Sequence, residues 1–225
     1  MSNMRTIRIT GKGQIKVHPD MMRITITLEG LRRGYGEALR HSGEDTEQLK
    51  DILSEFGFDR SDLKTLNFNI DTEYESYKEK GTYKQRFVGY KFRHLMKLEF
   101  ESDNERLGKI LYALAKCPLH PKFRLAYTVK DPEAAKNVLL GRAVKDAKEK
   151  AEVLTEAAGV ILKSIQSIDY SWGEIDFEYR PVNGMLMENR MLAAPAAAEG
   201  VSYDLDIEPD NIEVTDTVTV VWEIG

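Results

Sequence analysis

Two extended runs in the middle of the chain constrain its fold more than any other feature. Residues 63–77 carry Leu63, Leu66, Phe68, Ile70, Tyr74 and Tyr77, and residues 83–101 carry Tyr90, Phe92, Met96, Leu98 and Phe100. This is the patterning of strands. Lys78-Glu79-Lys80-Gly81-Thr82 between them reads as a charged hairpin tip, and Gly89, where the alternation changes phase, as a bulge. About 15 residues at roughly 3.3 Å each make a strand about 50 Å long. A compact domain of this length has a radius of gyration of roughly 17 Å. The hairpin therefore either coils strongly or projects. A projecting ribbon with open edges finds a partner, so self-association is the first functional expectation.

The flanking segments supply a core for this ribbon. Ile7, Ile9, Ile15 and Val17 alternate around Gly11 and Gly13, which predict a bulge or a close backbone approach. A turn at His18-Pro19-Asp20 leads into Met22, Ile24, Ile26 and Leu28, a second strand. Tyr35, Ala38, Leu39, Leu49, Ile52, Leu53 and Phe56 take helical spacing up to Gly57. Residues 104–116 form a short amphipathic helix through Leu107, Ile110, Leu111 and Leu114. Phe123, Leu125, Tyr127 and Val129 alternate as a strand. Asp131-Pro132-Glu133 then caps a long helix that runs to Ala158, with Gly159 closing it. Its stripe is rich in alanine: Ala135, Ala143, Ala147, Ala151 and Ala158 alongside Val138, Leu139, Val144 and Leu154. Ile161, Ile165 and Ile168 mark a strand, and Ile212 to Ile224 a closing one.

Composition excludes several classes. The 225 residues carry a net charge of -5, with Lys+Arg 32 against Asp+Glu 37, so no overall basic field gathers nucleic acid. One cysteine, Cys117, excludes an internal disulfide framework and a multi-cysteine zinc site. Residues 1–10 hold no continuous apolar stretch of signal-peptide length, and no window reaches the roughly 20 apolar residues of a membrane span. As written the chain reads as cytoplasmic, and as periplasmic if an export signal has been removed.

No constellation of catalytic residues emerges. Gly34-x-Gly36 has Leu39 where a dinucleotide loop needs its third glycine, and a loose helix entry accounts for it better. His18 and Asp20 flank Pro19 and read as turn chemistry rather than metal ligands. Asp204, Asp206 and Glu208 imitate half a calcium loop, but Pro209 and Thr215 stand where its glycine and glutamate belong. Cys117 lies near His120 without a resolving thiol, so a buried inert cysteine is the better reading. The hairpin is locally basic: Lys78, Lys80, Lys84, Arg86, Lys91, Arg93 and Lys97 face only Glu79 along residues 78–97, with Tyr83, Phe87, Tyr90 and Phe92 interleaved. Such alternation grips single-stranded nucleic acid, or docks an acid-rich neighbour such as residues 199–216. Residues 173–202 lack periodicity and read as a mobile insertion in which Met185, Met187 and Met191 offer an adaptable apolar surface to a protein partner.

Gly11 and Gly13 with Pro19-Asp20, Thr65-x-x-Phe68-x-Ile70 with Tyr74, Gly89-Tyr90, Ala143-Val144-x-Asp146-Ala147-x-x-Lys150-Ala151 with Ala158-Gly159, and Val218-x-Val220-x-Trp222 follow one another in an order that resembles the SIMPL-domain family. That family includes bacterial oxidative-stress-defence proteins, periplasmic immunogenic proteins and an animal signalling protein associated with a Pelle-like kinase. The resemblance implies an α+β fold, oligomeric assembly of the ring-like or channel-like kind found in the family, and a non-enzymatic or undefined role near stress defence; the family has no agreed catalytic residues to carry over. Two departures stand out: the export signal of many bacterial members is missing, and Cys117-Pro118-Leu119-His120-Pro121 replaces a glycine-containing turn.

The expectation is one α+β domain over residues 1–225, with sub-lobes 1–131 and 132–225 and element order ββαββαβαββ. Antiparallel sheets and a long projecting hairpin pack against one long and two shorter helices. Its function is that of a non-enzymatic homo-oligomeric assembly protein without cofactor or metal. Lys84, Arg86, Phe87, Tyr90, Lys91, Arg93, Met185, Met187 and Met191 are the contact residues. The alternative is a binding module whose basic aromatic hairpin holds an anionic ligand or single-stranded nucleic acid.

Overall fold

The computed structural model describes residues 5–170, 177–180 and 208–225. In chain order the elements are β1 (Thr6–Val17), β2 (Met21–Arg32), α1 (Tyr35–Ser54), β3 (Lys64–Glu79), β4 (Thr82–Glu101), α2 (Asn104–Lys116), β5 (Lys122–Thr128), α3 (Pro132–Ala157), β6 (Leu162–Tyr170), β7 (Glu178–Tyr179) and β8 (Ile212–Ile224). The architecture is α+β with antiparallel sheets, as expected; the two-residue β7 is the one element the periodicity did not mark. The insertion expected at 173–202 falls mostly outside the described residues.

The elements gather into two compact units, each drawn from separated stretches of chain. The first holds β1, α3, β6, β7 and β8, with its sheet in the order β1-β8-β6. β8 is the central strand, pairing Thr6 with Glu223 through Val17 with Ile212 without a register break. α3 begins where Asp131 accepts a hydrogen bond from the Ala134 amide at 2.8 Å and Pro132 takes the first helical position. It buries a stripe of Leu139, Ala143, Ala147, Ala151 and Thr155, spaced by four throughout. Val138 and Leu154, expected in that stripe, are 52% and 49% exposed. The narrow alanine ridge lets the helix lie against the two glycines of β1: a Cβ at Gly11 would overlap the Ala143 carbonyl oxygen, and one at Gly13 that of Leu139. Of the two readings of these glycines, close approach is the one realised, and β1 carries no bulge.

In the second unit the strands run β3-β4-β2-β5. Met22, Ile24, Ile26 and Leu28 of β2 lie opposite Phe100, Leu98, Met96 and His94 of β4 on one face, and all but His94 are buried. α1 lies against β2 and β4 and buries Ala38, Leu49 and Leu53 together with Ser42 and Thr46. Tyr35 and Leu39, expected on the buried stripe, are 54% and 50% exposed. α2 occupies the predicted 104–116, capped by Asp103, and buries Leu107, Ile110, Leu111 and Leu114. Arg106 closes the α1–α2 region: its guanidinium stands 3.9 Å from the Phe58 ring centroid and donates to the Phe56 carbonyl at 2.8 Å.

The hairpin ribbon as candidate functional site

β2 accompanies β4 only as far as the pair Arg32–Tyr90. From Glu73–Gly89 outward to Glu79–Thr82, β3 and β4 pair only with each other among the described residues, a two-stranded ribbon about 25 Å long at roughly 3.3 Å per residue. Its start is the bulge expected at Gly89, where the register slips between Glu73 and Tyr74. Its tip is a two-residue turn, Lys80-Gly81, with φ of 48° and 86°. Positive φ at both positions is the turn that follows the twist of a hairpin, and Gly81 adopts it without a Cβ penalty.

The register sorts the ribbon's side chains. Tyr74 lies opposite Phe87 and Lys78 opposite Tyr83 on one face, while Glu75 faces Arg86 and Tyr77 faces Lys84 on the other. The first face carries a ladder of edge-on rings, with centroids at 5.8 Å for Tyr74–Phe87, 5.3 Å for Phe87–Tyr90 and 5.6 Å for Tyr90–Tyr35. Each such pair is worth about 0.5–1.5 kcal/mol beyond its buried area. Most of the ladder remains open to solvent, with Tyr74 54%, Phe87 48% and Tyr35 54% exposed.

The cations of the second face are matched within the chain, which corrects the reading that they face only Glu79. Lys84 does pair with Glu79, at 2.7 Å. Arg86 donates through Nε and Nη2 to Glu75 Oε2 at 3.0 and 2.7 Å, which raises its already high pKa. Arg93 stands 3.4 Å from Glu29, which also accepts from Lys122 at 2.9 Å. The Lys122 hydrogen bond, helped by the charges of Lys91 and Arg93 and opposed by burial, holds the Glu29 carboxyl below the usual range. Glu29 and Glu75 come from other strands, so only the register reveals them as partners. Among the predicted contacts, Phe87 and Tyr90 join one ring ladder and Lys84 and Arg86 one charged face, while Lys91 and Arg93 belong to the Glu29 cluster nearer the body of the sheet. Met185, Met187 and Met191 lie outside the described residues.

A second feature escaped the sequence reading. His94 sits below a groove of about 440 Å³ between α1 and β3. Thr46 donates its hydroxyl proton to the Ser42 carbonyl at 2.7 Å, so its 3.0 Å contact with His94 Nδ1 requires that nitrogen to carry the proton. Nε2 then accepts from the Thr65 hydroxyl at 2.8 Å. Burial, with a smaller contribution from the Lys50 charge, lowers the imidazole pKa. Cys117 is buried at the end of α2. Among the described residues no three His, Cys, Asp or Glu side chains converge to hold a metal ion, and no helix is long and apolar enough to cross a membrane.

Comparison with known proteins agrees with the order of motifs. The SIMPL family model, described as a protein of unknown function (DUF541), matches residues 7–222. The chain belongs to the SIMPL family. It is 24% identical over 216 residues to the uncharacterized protein YggE of Edwardsiella ictaluri, covering 96% of this chain and 85% of that one. It is 26% identical over 163 residues to the 26 kDa periplasmic immunogenic protein of Brucella melitensis, covering 72% of this chain and 65% of that one, with the same figures for the Brucella abortus protein of that name. The SIMPL match runs from within β1 to within β8 and includes the whole ribbon.

Proposed function

We propose that this SIMPL chain is a non-enzymatic structural subunit that assembles with further copies of itself through the aromatic face of its hairpin. The observation that carries this reading is the ring ladder Tyr35–Tyr90–Phe87–Tyr74, which runs onto a ribbon with no third strand among the described residues and leaves Tyr35, Phe87 and Tyr74 exposed. Apolar surface of this kind gains most from a partner that excludes water. The matched charges on the opposite face favour a neutral protein neighbour over an anionic ligand, because Arg86 and Lys84 already hold carboxylates.

Light scattering coupled to size-exclusion chromatography tests it. The wild-type chain elutes at a multiple of 25.7 kDa at micromolar concentration and keeps that mass in 0.5 M salt. Tyr74→Ser with Phe87→Ser reduces the mass to one chain while the circular dichroism is unchanged. A wild-type monomer under these conditions overturns the reading, and binding to single-stranded DNA that weakens steeply with salt would favour the anionic alternative. The family resemblance supports a role in stress defence, for which peroxide survival of a deletion strain, rescued by wild type but not by the double variant, is the measure. The names of the Brucella relatives support a periplasmic place, to be tested by cell fractionation.

A further inference from the structure

The edges of a sheet carry backbone N–H and C=O groups that need partners or protection. In the first unit the β1 edge is closed from α3: Asp146 accepts from the Lys12 amide at 2.7 Å, and Arg142 donates to the Gln14 carbonyl at 2.8 Å. The β6 edge is interrupted by register shifts on both sides of Ile165, and bulges discourage further pairing. β3, the terminal strand of its sheet, has neither device along its middle. From Asn67 to Glu73 its register with β4 is unbroken, and its backbone has no hydrogen-bond partner beyond β4 among the described residues.

The groove above His94 runs alongside this edge. Leu39 and Gly43 of α1 form one wall and Phe68 of β3 the other, with Leu39 50% and Phe68 39% exposed. A Cβ at Gly43 would meet nothing within 4 Å, so the groove is open there. An edge strand with a helix beside it and a groove between them is the arrangement in which an extended peptide adds as a further strand. The other face of the same strand presents Asp71 and Glu73, alternating with Phe68 and Ile70. Asp71 lies opposite Lys91 and accepts from Asn69, whereas Glu73 lies opposite Gly89 and has no ion pair among the described residues. A second copy of β3 would gather four such carboxylates on one face. A strand with basic residues on that side neutralises them.

We propose that an extended segment of another protein adds to β3 along residues 67–73, its apolar side chains over Leu39 and Phe68 and its basic ones beside Asp71 and Glu73. The inference does not depend on the outer ribbon, so the Tyr74→Ser, Phe87→Ser chain serves as its monomeric test protein. The probe is a labelled ten-residue peptide alternating valine and lysine, followed by fluorescence anisotropy at physiological salt. It binds roughly tenfold more tightly than the valine–glutamate peptide. Methylating the backbone nitrogens of alternate residues, in the phase that removes the edge-facing donors, weakens it roughly tenfold, and so does filling the groove with Gly43→Leu or charging it with Leu39→Glu. Binding that survives methylation in both phases overturns strand addition. Equal binding of the glutamate peptide, or no binding up to about 1 mM, overturns the choice of partner. Slow exchange, without peptide, of the edge-facing amides of residues 67–73, those not bonded to β4, also overturns it, because the edge is then occupied by this chain; protection of these amides that grows with protein concentration identifies a second copy.

Discussion

A methyl group at position 11 would share space with the Ala143 carbonyl oxygen, whereas one at position 43 would point into an open groove. The same change, glycine to alanine, therefore has opposite signs. Gly11→Ala forces α3 away from β1 and costs about 2 kcal/mol, or roughly 4–8 °C in a thermal melt followed by circular dichroism. Gly43→Ala removes a helix-interior glycine and gains about 1 kcal/mol, or roughly 2–4 °C. His94 supplies a pH dependence. Burial lowers its pKa in the folded chain, so the unfolded chain takes up a proton first as pH falls. The contribution is complete above about pH 6.5 and is lost as pH drops toward the folded value. Urea titrations at pH 7.5 and 5.5 find wild type weaker at the lower pH, with a smaller difference for His94→Gln; identical differences refute the assignment. At this scale the sequence was only half readable. The two glycines of β1 signalled a close approach, but the partners of Arg86 and Arg93 did not, because Glu75 and Glu29 become neighbours only through strand register.

Elements whose ends are written in local chemistry were legible. Asp131-Pro132 marks a helix start whatever the rest of the chain does, and α3 begins where those residues predict; the apolar spacing of Leu107 to Leu114 placed α2, whose cap, Asp103, only the structure shows. α1 was less legible because its buried stripe contains the polar residues Ser42 and Thr46, the Thr46 hydroxyl bonding the Ser42 backbone carbonyl and His94, while Tyr35 and Leu39 turn outward. β6 carries isoleucines that look like a buried face, yet Ile165 and Ile168 remain about half exposed because α3 lies chiefly over β1 and β8. The hairpin was legible in length, bulge and tip. Its unsupported outer part has its own signature in hydrogen exchange: amides of residues 74–87 exchange faster than those of 92–100 in dilute solution and slow when the chain assembles. Equal protection at all concentrations would show that the ribbon is covered within one chain.

For the whole molecule, no change in composition marks the two units, since each is closed by pairing between distant stretches. Thr6 meets Glu223, a contact no local pattern announces. Because β8 is the middle strand of its sheet, deleting residues 209–225 removes the partner of both β1 and β6. The first unit then unfolds, and limited proteolysis cuts within α3, while α1 and β2 to β4 stay protected. Resistance of α3 in that variant would refute the assignment. Long-range pairing also sets a slow pace, so refolding of the first unit falls in the millisecond-to-second range rather than in microseconds.

The position of β8 bears on how the protein is made in a cell. About 200 residues separate it from β1 along the chain, and ribosomes add roughly 5–20 residues per second. For about 10–40 s of translation at that speed, a newly made β1 waits without the strand that will bind it. A chaperone that shelters extended segments during that interval would decide how much of the polypeptide reaches its native form.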